Sequence, residues 1–117
     1  MNRYVLVKAG IDYNGGMQRF RKKELYEKFL LSFPQDENFR KLEQAIAAKD
    51  VEQAFHYAHA FKGIVGNLSI QKLMDAVVPL VEELRGGSME HADELFAVVR
   101  EDYEQIIAVL HETPVEE

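Results

Sequence analysis

The stretch Asp50-Val-Glu-Gln-Ala-Phe-His-Tyr-Ala-His-Ala-Phe-Lys-Gly-Ile-Val-Gly-Asn-Leu68 decides the fold. Its apolar residues Val51, Ala54, Phe55, Ala58, Phe61, Val65 and Leu68 recur with the period of one face of an α-helix, not of a strand. Asp50 is placed to cap the start. Its carboxylate can accept the backbone N–H of Gln53, and Gln53 can reach back in a variant of the capping box. Gly66-Asn67 is the expected break, with Gly66 as terminator, and Ser69 is placed to cap a second helix within three residues. So short a connection folds the two helices into an antiparallel hairpin.

Downstream, Ile70, Leu73, Val77, Leu80 and Leu84 carry an apolar face that Gly86-Gly87 ends. Pro79 lies inside that pattern and should bend the helix without erasing it. Ser88 is the expected cap of a last helix, in which Leu95, Val98, Val99, Tyr103, Ile106, Ile107 and Leu110 keep the period. Thr113-Pro114 closes it, and the acidic remainder is expected to fray. Upstream, Asp36 can cap a helix whose stripe is Phe39, Leu42, Ala45 and Ile46. Before it, Leu25, Phe29 and Phe33 step by four through Lys23 to Phe33, with Tyr26 and Leu30 filling beside them, until Pro34 stops the helix. Asp12 is the expected cap of a short helix reaching about Phe20, weakened by Gly15 and Gly16. Strand-like alternation is confined to residues 4 to 7. The prediction is an all-α protein, an antiparallel four-helix bundle with short additional N-terminal helices. It forms a single domain over residues 1–117, with a core at about 9–112.

Composition removes whole classes of function. The 20 acidic against 14 basic side chains give a formal charge of −6, opposite in sign to the excess that tracks nucleic-acid phosphates. Without cysteine there is no disulfide framework, zinc knuckle or thiol nucleophile. No apolar run is long enough to cross a bilayer, and Tyr4-Val-Leu-Val7 is too short for a signal-peptide core before Lys8 interrupts it. A cytoplasmic domain with neither nucleic-acid nor membrane partner is the expectation, and a monomer is the simpler one. No GxxxxGK[ST] loop or GxGxxG turn offers a phosphate cradle, and HExxH is missing. Not one of the four histidines has Glu three residues before it, as a di-iron bundle requires. Glu52 and His56 could share a metal, with His59 as a third ligand, but two ligands on an exposed face are weak grounds, and no metal or other cofactor is expected.

What remains is the set His56, His59, Lys62, Gly63 and Gly66 on one helix. Lys62, Gly63 and Gly66 follow His59 at three, four and seven residues, so they share its face. His59 falls at the border of the buried stripe, where solvent can reach the ring. A neutral imidazole is a nucleophile near neutral pH, its unperturbed pKa being about 6.5. A phosphoryl group added to it brings about −1.5 to −2 of charge, which a lysine one turn on would attract. Glycine one turn on removes the side chain that would crowd an incoming protein, at a cost of roughly 1 kcal/mol in helix propensity. Each member alone also has an ordinary reading. The histidines could be plain boundary residues, Lys62 a solvated cation, Gly63 the site of a close helix crossing and Gly66 a helix terminator. The combination points to phosphoryl chemistry.

Ala58-His59-Ala60-Phe61-Lys62-Gly63, followed by Gly66-Asn67-Leu68, resembles the signature of histidine-containing phosphotransfer (HPt) domains of two-component phosphorelays. That signature is commonly written Ala-His-x-Leu-Lys-Gly. Gly10-Ile11-Asp12, Gly16 and Arg19-Phe20 look like the family's opening segment, and the resemblance extends over roughly residues 9 to 110. It implies a phosphocarrier, not an ATP-using enzyme. His59 would accept a phosphoryl group at Nε2 from the aspartyl phosphate of one response-regulator receiver domain and pass it to another, with a hybrid histidine kinase upstream. Lys62 would stabilise the added charge and Gly63 would give the receiver room, while magnesium and the acidic pocket belong to the receiver. His56, Gly66 and Arg85 are further candidates for contact with a partner. Two departures stand out. Many members have Gly where this chain has Ser69, here read as a changed cap. In several, a Gln or Glu on the following helix bonds the histidine ring; by ungapped count that position is Val81, beside Glu82 and Glu83, which leaves the ring's partner open. A second expectation is the same bundle docking on a receiver or other signalling protein without taking phosphate.

Overall fold

In the computed structural model, which describes residues 1–112, helices follow one another without a strand among the described residues. They are α1 (Arg3–Lys8), α2 (Tyr13–Phe20), α3 (Lys23–Ser32), a 3₁₀ turn (Phe33–Gln35), α4 (Asn38–Ala47), α5 (Val51–Asn67), α6 (Gln71–Arg85) and α7 (Ala92–Glu112). The stop expected at Thr113-Pro114 and the frayed end lie outside the described residues. No helix among those described is long and apolar enough to cross a membrane.

The bundle is made by α4 to α7, each packed against the next in the chain. Asp50 starts α5 as its position predicts, accepting the Gln53 N–H at 3.1 Å. Ala54, Ala58, Phe61 and Val65 then bury one face completely, while Val51 and Phe55 are only half-buried. Leu73, Val77, Leu80 and Leu84 of α6 close on that face, and α6 runs through the exposed Pro79. The two helices are antiparallel: the start of α6 (Met74) lies against Gly66, and its end (Arg85) against Phe55. Between α4 and α7 the Phe39 and Tyr103 rings stack at 3.8 Å, and Arg100 pairs with Glu43. The all-α bundle of the sequence reading is therefore what forms.

Several local expectations are corrected. The Tyr4–Val7 alternation is helical, because Asn2 caps α1 by accepting the N–H groups of Tyr4 and Val5, and only Leu6 of that helix is buried. In α3 the buried residues are Tyr26, Glu27 and Leu30, followed by Phe33, while Leu25 and Phe29 face solvent. The step-by-four stripe of Leu25 and Phe29 was the wrong ridge, since apolar residues cover more of α3 than one neighbour can bury. Glu37, not Asp36, occupies the cap position of α4, although Asp36 accepts the Asn38 N–H at 2.9 Å. Ser88 bonds the Glu90 N–H in a turn, and α7 starts only at Ala92. In α7, Phe96 is in the core and Val98 is exposed.

Gly66 does not terminate α5, which continues to Asn67 with Leu68 as its C-cap. Ser69 caps nothing by its side chain. It adopts φ +58°, a left-handed conformation, and Ile70 is the cap position of α6. Left-handed backbone favours glycine, and this chain meets that conformation with a serine.

Candidate functional site

The connection from α5 to α6 leaves four successive carbonyls to be satisfied, and the N-terminal segment supplies a donor for each. Arg19 Nη1 donates to the Gly66 and Asn67 carbonyls at 2.9 and 3.1 Å, and to Ser69 Oγ at 2.8 Å. The Tyr26 hydroxyl donates to the Leu68 carbonyl at 2.7 Å, and the Asp12 N–H to the Ser69 carbonyl at 2.7 Å. Helix ends leave such carbonyls without intrahelical partners, so α2 and α3 act as a clamp on the end of α5. Burial, reinforced by Asp12 and Tyr13, raises the Tyr26 hydroxyl above the usual phenol range, so it stays a donor. Gly16 lets the Tyr26 ring lie flush on α2; any side chain there would collide with it.

This clamp shapes a groove of about 440 Å³ beside α5, lined by His59, Lys62, Gly63 and Gly66 together with Arg19 of α2 and Met74 of α6. His59 is exposed and has no hydrogen-bond partner among the described residues. Lys62 is half-buried and makes no ion pair among the described residues, so its ammonium is not neutralised by a carboxylate. At Gly63 an added Cβ would meet no atom within 4 Å, which excludes a close helix crossing as its reason. At Gly66 it would meet Met74 at 3.8 Å, an ordinary contact. His59, Lys62, Gly63 and Gly66 are thus brought together.

His56 is exposed but does not line the groove; its ring leans edge-on against Tyr57 at 4.9 Å. Arg85 is one layer removed. Its guanidinium lies over the Phe55 ring at 5.1 Å, and Phe55 in turn lies 5.7 Å from the His59 ring. Val81 is fully buried hydrocarbon and offers the imidazole nothing. Among the described residues no group of three or more His, Asp or Glu side chains is placed to hold a metal ion, and Glu52, His56 and His59 form no such group.

A second groove of about 500 Å³ adjoins the first, sharing Arg19 and Asn67 and adding Phe20, Phe29, Ile64 and Leu68. Sequence reasoning missed this apolar extension, and with it the roles of Arg19 and Tyr26. The signal for the groove was the breadth of apolar residues around α3, which no single stripe accommodates. Arg19 left no local signal, because the carbonyls it serves lie 47 and 48 residues further on.

Residues 24–109 match the family model described as the Hpt domain. Comparison with curated proteins and with solved structures gives no match.

Proposed function

The chain belongs to the Hpt domain family, whose members are histidine phosphotransfer modules of two-component phosphorelays, and we propose that its phosphoacceptor is His59. Such domains carry phosphoryl groups and meet receiver domains and histidine kinases; they have no ATP-binding domain of their own. One observation supports the assignment above others. His59 lines the first groove, solvent-exposed, with a glycine that leaves open space and a lysine that makes no ion pair among the described residues within one turn.

In the proposed reaction the Nε2 lone pair attacks the phosphorus of a receiver's aspartyl phosphate. The N–P bond forms as the P–O bond to the aspartate breaks, and the bonding pair leaves with the carboxylate. The proton on Nδ1 stays on the ring or passes to water. Transfer to a second receiver reverses these steps. Lys62 stabilises the phosphoryl charge, Gly63 and Gly66 admit the receiver's surface, and His56 and Arg85 meet it further along α5 and α6. Transfer of this kind needs positioning and charge stabilisation more than covalent help, and the partner supplies part of both.

The experiment is incubation with an aspartate-phosphorylated receiver. The expected product is an acid-labile, alkali-stable label on the wild-type domain and none on His59→Gln. A label that persists in His59→Gln places the acceptor elsewhere. Receiver binding with no label on the wild type would instead make the domain a docking module.

A further inference from the structure

The imidazole of His59 needs something to hold its plane, and among the described residues neither a hydrogen bond nor residue 81 does so. One ring does touch it. Phe55, one turn earlier on α5, has its centroid 5.7 Å from that of His59, with the planes inclined by 30°. Residues at i and i+4 of a helix are neighbours, and a separation of about 4.5–7 Å is where offset aromatic pairs attract. Phe55 is itself held. It is half-buried against the core on one side, and the Arg85 guanidinium lies over its ring at 5.1 Å. Arg85 is in turn steadied by Glu82, 3.6 Å away on the preceding turn of α6.

The geometry points to Phe55 as the positioning residue of the His59 imidazole, with Arg85 as the cation that keeps Phe55 in place. This rests on His59 being the phosphoacceptor. This tilted ring contact fixes the ring's plane while leaving both nitrogens free of donors and acceptors from the described residues, so the in-line approach of Nε2 is set by packing. An unrestrained imidazole would sample rotamers in which Nε2 points away from the groove.

Three substitutions separate this role from plain bulk: Phe55→Leu keeps apolar volume without a ring plane, Phe55→Ala removes both, and Phe55→Tyr keeps the ring. Single-turnover transfer is measured from an aspartate-phosphorylated receiver over a range of receiver concentrations. Phe55→Leu and Phe55→Ala are expected to lower the maximal rate about 10-fold, with the half-saturating concentration changed by less than about two-fold, while Phe55→Tyr keeps the rate. In proton NMR of the free domain, the ring-current shift on the His59 ring protons should collapse in Phe55→Leu and shrink in Arg85→Gln, with thermal unfolding of Phe55→Leu confirming a folded chain. A wild-type maximal rate in Phe55→Leu, a loss confined to the half-saturating concentration, or unmoved His59 resonances would each overturn the role. The His59→Gln control keeps the two readings apart. A label surviving in it defeats the acceptor assignment, whereas its loss beside a fully active Phe55→Leu defeats only the positioning role.

Discussion

Gly63 and Gly66 stand in the same helix as His59, and for Gly63 the free domain gives no return on its flexibility. Glycine inside a helix costs about 0.5–1 kcal/mol relative to alanine, and at Gly63 the space that a methyl would fill is empty. Gly63→Ala should therefore stabilise the isolated domain by about 0.5–1 kcal/mol in urea unfolding. It should at the same time raise the receiver concentration needed for half-maximal transfer, because the methyl projects toward the partner. A variant that is more stable and transfers with unchanged half-saturation would show that the clearance is not used. Gly16 is the opposite case. There a Cβ would run into the Tyr26 ring, so Gly16→Ala should destabilise by about 1–3 kcal/mol, seen as a lower unfolding midpoint. The two glycines look alike in the sequence. Gly63 was legible because it stands four residues from a histidine on one helix, where spacing alone places it; Gly16 depends on a ring ten residues away in another element.

At the level of elements, the α5–α6 connection is where the N-terminal helices meet the bundle. Tyr26→Phe would leave the Leu68 carbonyl without its donor in a buried position, an expected loss of about 1–3 kcal/mol in chemical unfolding. The α6–α7 connection carries a pH-dependent tie. Glu83 accepts both the His91 backbone N–H at 2.9 Å and the ring Nδ1 at 2.8 Å. The hydrogen bond and charge of Glu83, with help from Glu90 and Glu94, raise the His91 pKa above its ordinary value. A pKa raised by folding contributes stability that is complete below the unfolded value, about 6.5, and fades as pH rises through the folded one. The wild type should thus gain slightly on His91→Gln in urea midpoint at pH 5.5, and that gain should vanish by pH 8.5. Long helices with one buried stripe, α4 to α6, were readable because tertiary packing simply selects the face already marked by spacing. Short or broadly apolar segments were not. In α1 six residues give too little pattern to distinguish a turn of helix from a strand, and in α3 the bundle chose Tyr26 and Leu30 over Leu25 and Phe29. Ser69 failed as a cap because its backbone is left-handed, a constraint imposed by the reversal of the chain.

Over the whole molecule, charge is unevenly spread around a net −6. Arg19 lines both grooves and Phe20 the second, and the next three residues, Arg21, Lys22 and Lys23, are exposed with no carboxylate partner among the described residues. Four other cations are paired, Arg40 with Glu37, Lys72 with Asp102, Arg85 with Glu82 and Arg100 with Glu43, while Arg3, Lys8, Lys28, Lys41 and Lys49 stand singly along the chain without a carboxylate partner among the described residues. Arg21 to Lys23 are the run of three consecutive unpaired cations, and with Arg19 and Lys62 they place positive charge at and beside the groove that His59 lines, on a protein whose overall field repels acidic partners. At distances beyond the Debye length, about 8 Å at physiological salt, neither effect survives; inside it the local cluster dominates. A receiver presenting its acidic active-site rim should thus be drawn to this face, so the apparent second-order rate of transfer should fall several-fold between about 50 and 500 mM salt. The triple replacement Arg21→Gln, Lys22→Gln, Lys23→Gln should lower the low-salt rate and flatten the salt dependence, while leaving the rate at saturating receiver unchanged. A wild-type rate that instead climbs with salt would mean that the net −6 governs the encounter and the basic connection does not guide it.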